Sequence, residues 1–383
     1  MNKMIEDILE NYNIPGKIVE IKQNNTGNIN KTYIIKYIDK NKERKYIIQK
    51  INTSVFNEPY KLMNNIDSVT TYLKNKMEKE QDKEHKVIEI IKTANDKLLC
   101  DVNNEYKEKD YYRMYGFIDN SVSYDYSVDN KVVYNTGKAF GNFNKLLNDY
   151  PIDELEETIK DFHNTEKRFQ KLLSDIEKDP KKRVANVYKE IVEIIKRHKI
   201  CSLITKSLDD GTIPYRVTHN DTKVNNVMMN KDTGDYLAVI DLDTVMPGSL
   251  LFDYGDGIRS TSSTALEDEI DLSKVGIDLK MFESYTDGYM SEMANYITRE
   301  EVNLMAESVR IITLELCIRF LNDYINGDTY FKVDYKNHNL DRTRNQLALV
   351  KDIENKLPYM KEYIEKSYKK NKTKEKELKK VLY

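Results

Sequence analysis

Up to about residue 117, short β-rich runs bounded by turn residues alternate with polar segments; beyond it, apolar positions recur every three to four residues. Residues 17–23, 32–38 and 45–51 read as strands, the first pair joined by the Gly27-containing loop 24–31 and the second by a charged turn, 39–44. Further strands are expected over 87–93, 97–102 and 110–115. A short amphipathic helix over 2–12 precedes them and breaks at Pro15-Gly16. A longer helix fits 59–77, with Pro59 in its first turn and Leu62, Met63, Ile66, Val69, Leu73 and Met77 on one stripe. The expected unit is an antiparallel sheet of about five strands with one helix after the third. Helical periods follow over 129–148, 165–178, 183–200, 278–296, 298–326 and 342–370, so the chain divides near residue 117 into segments 1–117 and 118–383.

Composition narrows the function more than the fold. A chain of 383 residues with 39% hydrophobic content is long enough for two lobes with cores of their own. The 61 basic and 64 acidic residues nearly cancel, leaving −3, so neither a nucleic-acid nor a membrane partner is implied. No apolar run approaches 18 residues and no export signal is visible. Cys100, Cys201 and Cys317 are scattered and odd in number, which fits reduced thiols and a cytoplasmic setting. Without Cys/His pairs at ligand spacing, the metal to expect is a hard cation held by oxygen. The Lys/Glu-rich end from Lys369 to Lys380 reads as a solvated helix end.

Candidate chemistry concentrates in residues 215–259. Two apolar strands joined by a Thr233-Gly234 turn each meet a loop rich in Asp and Asn. The spacing His219-x-Asp221-x4-Asn226, followed by a strand ending at Asp241, supplies the parts of a phosphoryl-transfer site in order. These are one carboxylate to orient a hydroxyl, and an amide oxygen and a second carboxylate to hold Mg2+ against nucleotide phosphates. An Asp in an ordinary strand-to-loop turn is the alternative for Asp221 alone; Asn226 and Asp241 at these intervals favour the catalytic reading. Asp243 is either a further ligand or a turn residue.

These segments, together with Gly27-Asn28-Ile29-Asn30-Lys31-Thr32, Gln49-Lys50-Ile51-Asn52-Thr53, Tyr111-Tyr112-Arg113-Met114-Tyr115, Asp161-Phe162-His163-Asn164-Thr165 and Arg319-Phe320-Leu321-Asn322-Asp323-Tyr324, resemble the aminoglycoside phosphotransferase family, and within it the N-acetylhexosamine 1-kinases. The resemblance implies an α+β, protein-kinase-like two-lobed fold: a small antiparallel-sheet N-lobe that binds nucleotide and a larger, mostly helical C-lobe. It implies a cytoplasmic, monomeric enzyme that uses ATP and Mg2+ to phosphorylate the anomeric hydroxyl of a small-molecule sugar, GlcNAc or GalNAc. Asp221 would orient that hydroxyl, with Lys223 near the transferred phosphate or simply solvated, and Asn226 and Asp241 would bind Mg2+. His219 would brace the loop, an aspartate of the Asp253/Asp256 pair would pin it, and Arg259 would lie close to the cleft. Gly27, Asn30 and Thr32 would cover the phosphates, and Arg113, Met114 and Tyr115, continuing through Gly116-Phe117, would form an adenine hinge, with a plain sheet-to-helix connector as the alternative. The usual lysine of the third strand is replaced by Gln49-Lys50; Lys50 contacts phosphate unless strand alternation turns it away and Gln49 inward. Asn28, Arg319 and Tyr330 would meet the sugar, although an ion pair with Glu315 is a competing account for Arg319. The other functions left open are the same fold acting on an aminoglycoside or a different hexose, and a non-catalytic nucleotide-binding protein.

Overall fold

The computed structural model describes residues 3–24, 29–104, 106–126 and 129–382, with side chains through Lys372. The first part is helix α1 (Lys3–Leu9), strands β1 (Lys17–Asn24), β2 (Lys31–Asp39) and β3 (Lys42–Lys50), helix α2 (Pro59–Glu80), and strands β4 (Ile90–Ile91), β5 (Cys100–Asn103) and β6 (Lys109–Gly116). They form one antiparallel sheet in the order β1-β2-β3-β6-β4, with β5 also pairing with β6. Six strands thus stand where about five were expected, and β4 keeps only two residues of the run 87–93.

Alternation gives this sheet two unlike faces. Tyr33, Ile35, Tyr37, Ile48, Tyr112 and Met114 point outward and are buried against Ile5, Ile8 and Leu9 of α1. The residues between them, Thr32, Gln49 and Arg113, are cross-strand neighbours on the inner face. There α2 takes over: Pro59 opens it, and its stripe Leu62, Met63, Ile66, Val69, Leu73 and Met77 is buried. This inner core also takes in Phe143 and Leu146 from the next helix and Val217, Leu242 and Val245 from the catalytic segment. The two segments therefore share a core across the boundary at residue 117.

Beyond β7 (Ser121–Val122), the chain runs through α3 (Asn130–Leu146), α4 (Thr165–Lys178), α5 (Tyr188–Ile195) and α6 (Leu203–Asp209). It continues with β8 (Arg216–Thr218), β9 (Val227–Asn230), β10 (Tyr236–Val239), β11 (Met246–Gly248), α7 (Leu250–Ser262), α8 (Leu279–Met293), α9 (Arg299–Asn326) and α10 (His338–Leu382). The expected helix over 183–200 is broken, with 3-10 turns at Val184–Val187 and His198–Ile200 flanking the short α5, whose first residue has no side-chain cap. By contrast α9 starts at a complete capping box between Thr298 and Glu301 and stops at Gly327, whose φ of 101° is left-handed. α3 and α8 pack backbone to backbone: a Cβ on Gly137 would lie 2.2 Å from the carbonyl oxygen of Tyr285, and one on Gly288 would lie 2.1 Å from that of Tyr134. α10 extends past the expected residue 370 to Leu382, with Pro358 inside it. Among the described residues, no helix is long and apolar enough to cross a membrane.

Candidate active site

Two short ladders hold the central loops. β8 pairs with β11 and β9 with β10, so the loop after β8, which carries Asp221, and the loop after β10, which carries Asp241, emerge side by side. Asn220 and Asp241 both sit in the left-handed region, at φ 64° and 59°, a conformation costly for non-glycine residues and held here by what surrounds them. The surroundings are dense. The carboxylate of Asp253, on α7, accepts from the backbone N–H groups of His219 (2.9 Å) and Asn220 (2.7 Å) and from Asn144 (3.0 Å). His219 donates through Nε2 to the Ile240 carbonyl at 2.9 Å, accepts from the Asp221 N–H at 3.3 Å, and lies against the rings of Phe140 and Phe143. With both nitrogens engaged between the two loops, it is a brace.

Asp221 presents its carboxylate between Lys223 Nζ, 2.7 Å from Oδ1, and Asn226 Nδ2, which donates to Oδ2 at 3.0 Å. Burial pushes its pKa up, but the Lys223 ammonium, with His219 and the Asn226 hydrogen bond, together outweigh this and hold it below the usual carboxylate value. Lys223 is raised in turn, chiefly by Asp221. Asn226 also donates to the Asp221 carbonyl at 2.8 Å, so both of its amide bonds go to Asp221 and its Oδ1 is left to accept or ligate. For Asp241 the balance is reversed: burial, then the charges of Asp243 and Asp221, push its pKa up to about 7. A carboxylate so placed is stabilised by a cation. Among the described residues no group of three or more His, Cys, Asp or Glu is arranged to hold a metal. Asn226 with Asp241 nevertheless fits Mg2+, which takes one or two carboxylates and completes its shell with phosphate and water.

Asp243 belongs to a different network. Its Oδ2 accepts from Arg113 Nη2 at 2.8 Å and from Asn30 Nδ2 at 2.7 Å, and its Oδ1 makes an ionic contact of 2.5 Å with Arg113 Nη1. Arg113 also donates to Gln49 Oε1 (3.0 Å), which in turn donates through Nε2 to Thr32 Oγ1 (3.0 Å). The Arg113 and Asp243 side chains are 1% and 6% exposed. A buried ladder Thr32–Gln49–Arg113–Asp243 thus ties the inner face of the sheet to the loop after β10, and Asn30 joins it from the segment before β2 while accepting from the Asn52 N–H at 2.9 Å.

Several expected roles shift accordingly. Gln49 faces inward, and Lys50 on the opposite face is tied to Asp110, away from the cleft. Arg113, Met114 and Tyr115 are not hinge residues. They lie within β6, flanked by β3 on one side and by β4 and β5 on the other, with Met114 in the outer core and Arg113 buried, so their backbone groups serve the sheet. Arg259 is 5% exposed and occupied by two carboxylates, Asp256 (2.9 Å) and Glu267 (2.7 Å), while Asp256 accepts from the Thr222 N–H at 3.2 Å. It braces the catalytic loop through Asp256. Gly27 and Asn28 lie outside the described residues.

α9 is tied to the same loop through His163. Glu315 accepts from His163 Nδ1 at 2.9 Å and Thr165 Oγ1 at 2.6 Å, and His163 Nε2 donates to the Asn220 carbonyl at 3.1 Å, which places α9 and α4 against the catalytic loop. Burial opposes a charge on His163, but Glu315, with the Asn220 carbonyl and Asp256, together outweigh it and leave its pKa above the ordinary value. The expected competitor for Arg319 is therefore absent: Glu315 is taken, and the Arg319 guanidinium lies 5.9, 5.8 and 5.4 Å from the ring centroids of Phe162, Tyr330 and Phe331. Asp323 shapes this wall by accepting from the N–H groups of Thr329, Tyr330 and Phe331, each at 2.9 Å. Tyr330 is 64% exposed. The His163–Glu315 brace and the Arg113 ladder were not read from the sequence; an arginine within the apolar strand Tyr111–Tyr115 was the available signal for the second.

A β-sheet unit set over a helical unit, with a braced Asp loop beside an Asp-x-Asp loop, defines a kinase-like phosphotransferase. Solved structures of the same fold include a microcompartment-associated aminopropanol kinase (TM-score 0.63, 13% identity, covering 94% of this chain and 98% of that one). An amicoumacin kinase in complex with AMP-PNP, Ca2+ and Ami follows at 0.58 and 12%, covering 93% of each chain. A spectinomycin phosphotransferase with ADP and spectinomycin matches at 0.54 and 14%, covering 94% of this chain and 98% of that one. Residues 20–275 match the Phosphotransferase enzyme family, and the chain belongs to it.

Proposed function

We propose that this protein transfers the γ-phosphoryl group of ATP to the anomeric hydroxyl of an N-acetylhexosamine, giving the sugar 1-phosphate and ADP. The observation that carries the reading is the Asp221 carboxylate, fixed between Lys223 and Asn226 beside Asp241. The acceptor hydroxyl oxygen attacks the γ-phosphorus, the bond to the β-bridging oxygen breaks, and the hydroxyl proton passes to Asp221. A carboxylate held below its usual pKa orients a hydroxyl well and takes its proton late, as suits a loose transition state in which positioning and electrostatics supply most of the acceleration. Lys223 stands where it can stabilise charge on the transferred group. Asn226 Oδ1 and Asp241 would hold Mg2+, which when bound neutralises phosphate charge. Segment 1–117 would bind the nucleotide, with Asn30 and Thr32 under the phosphates and adenine meeting the connector 117–119 beyond β6. Segment 118–383 would carry the acceptor, against Arg319 and Tyr330.

The sugar reading is supported by the extended resemblance and by the pairing of a guanidinium with an exposed aromatic ring at the acceptor end, since hydroxyl-rich rings are bound by polar donors beside an aromatic face. Cationic amines are disfavoured by Arg319 and the nearby Arg168, which repel them. The test is ADP release over a panel of N-acetylhexosamines, other hexoses, amino alcohols and aminoglycosides, with the phosphate position read by NMR. Turnover of N-acetylhexosamines to 1-phosphates is expected; turnover confined to amines would overturn the reading.

A further inference from the structure

Arg319 makes no hydrogen bond or ion pair within the protein among the described residues; it rests only among three rings. Rings engage the face of a guanidinium and leave its N–H edge free. Beside it, from α4, comes a second guanidinium. Arg168 donates from Nη2 to the Phe162 carbonyl at 3.0 Å, its buried Nε has no partner, and no carboxylate pairs with it among the described residues. Both guanidiniums meet Phe162, Arg168 at its carbonyl and Arg319 at its ring, and burial, then the charge of Arg319, holds the Arg168 pKa below its ordinary value. The nearby Glu315 does not neutralise them by contact, because its oxygens are taken by His163 and Thr165. With no carboxylate in contact among the described residues, and only the longer-range charges of Glu315 and, for Arg168, Asp161, two partly buried guanidiniums are stabilised by a ligand that supplies negative charge. Their free donors and aromatic wall match a planar oxyanion, which arginine binds bidentately.

We propose that Arg168 and Arg319 form an oxyanion subsite, so that the favoured acceptor is an acidic sugar whose carboxylate is held there while its hydroxyl faces Asp221. Arg168 thereby becomes a specificity-determining residue. This rests on the reading of Arg319 and Tyr330 as the acceptor end, and it replaces a neutral N-acetylhexosamine by its carboxylate-bearing counterpart, the N-acetylhexosaminuronate.

The probes are N-acetylglucosamine, N-acetylglucosaminuronate and N-acetylglucosamine 6-phosphate. The uronate is expected to show a kcat/KM at least about tenfold above the neutral sugar, roughly the effect of one charge-assisted hydrogen bond. Its KM should rise between 50 and 300 mM salt while that of the neutral sugar stays level, a measurement that needs no variant. In Arg168→Met the uronate preference should collapse toward unity; Arg319→Met, checked for folding by circular dichroism, should do the same. If the 6-phosphate alone is preferred, or if the neutral sugar is used as well as the uronate, the carboxylate subsite is wrong although the kinase reading stands. If none is phosphorylated, the proposed function fails, and calorimetry decides the subsite separately. Uronate binding that is lost in Arg168→Met upholds it, and no binding overturns it.

Discussion

Replacing Arg113 by Met removes the only guanidinium in contact with Asp243 among the described residues and leaves a similar volume of side chain in the strand. Asp243 would retain one neutral donor, Asn30 at 2.7 Å, in a site where its side chain is 6% exposed. A surface ion pair broken in this way costs about 0–1 kcal/mol, whereas one broken in the interior costs about 3–5, because the surviving charge stays buried. Exposures of 1% and 6% place this pair in the second class. The loss is compounded by Asp241: Arg113 is among the charges that restrain its pKa, so the variant should carry more carboxylate repulsion in the metal loop. Urea unfolding should therefore show Arg113→Met destabilised by about 3–5 kcal/mol at pH 7.5 with an unchanged m-value. Arg113→Met/Asp243→Asn should recover about 2 kcal/mol or more of that, since the stranded charge is gone. A loss below about 1 kcal/mol, or a double variant no more stable than the sum of the singles, would refute the idea that this ladder couples the sheet to the metal loop.

Other consequences are equally open to measurement. Asp241 in the metal-free protein has a folded pKa of about 7, above the unfolded value, so the stability linked to it is present at low pH and lost as pH rises through 7. Mg2+ should then raise the melting temperature more at pH 8 than at pH 5.5, and equal shifts at the two pH values would contradict the assignment. Gly137→Ala places a methyl group against the Tyr285 carbonyl and should cost about 3 kcal/mol, at the upper end of overpacking penalties, measured by thermal unfolding. Asp323→Ala frees three N–H groups of the turn carrying Tyr330 and should raise the acceptor KM about tenfold while leaving that of ATP nearly constant. A parallel rise in both would point to general loosening instead.

The legible parts of this fold were those encoded within one element or one loop. α2 could be read from Pro59 and its apolar stripe, α9 from its helical period over 298–326, and the Asp221–Asn226–Asp241 set from spacing along a few dozen residues. What escaped depends on pairings across long stretches of chain. Arg113 meets Asp243 across 130 positions and His163 meets Glu315 across 152, and no local period reports which faces will be brought together. The hinge came from the resemblance rather than from the local pattern: residues 113–115 already fall in the strand expected over 110–115, and the flanking strands show that their backbone is paired. Lys50 was decided by register alone, which turned Gln49 inward and left the lysine to Asp110.

The orientation of a sugar hydroxyl by Asp221 is tested most directly by product analysis of wild type and Asp221→Asn with ATP, Mg2+ and N-acetylhexosamines, following ADP and the sugar 1-phosphate together. Wild type should release the two in equal amounts. Asp221→Asn, with its fold intact by circular dichroism, should form neither at more than about a hundredth of the wild-type rate, the scale of a lost positioning and proton-accepting group. Sugar 1-phosphate formation by Asp221→Asn at near wild-type turnover would contradict it.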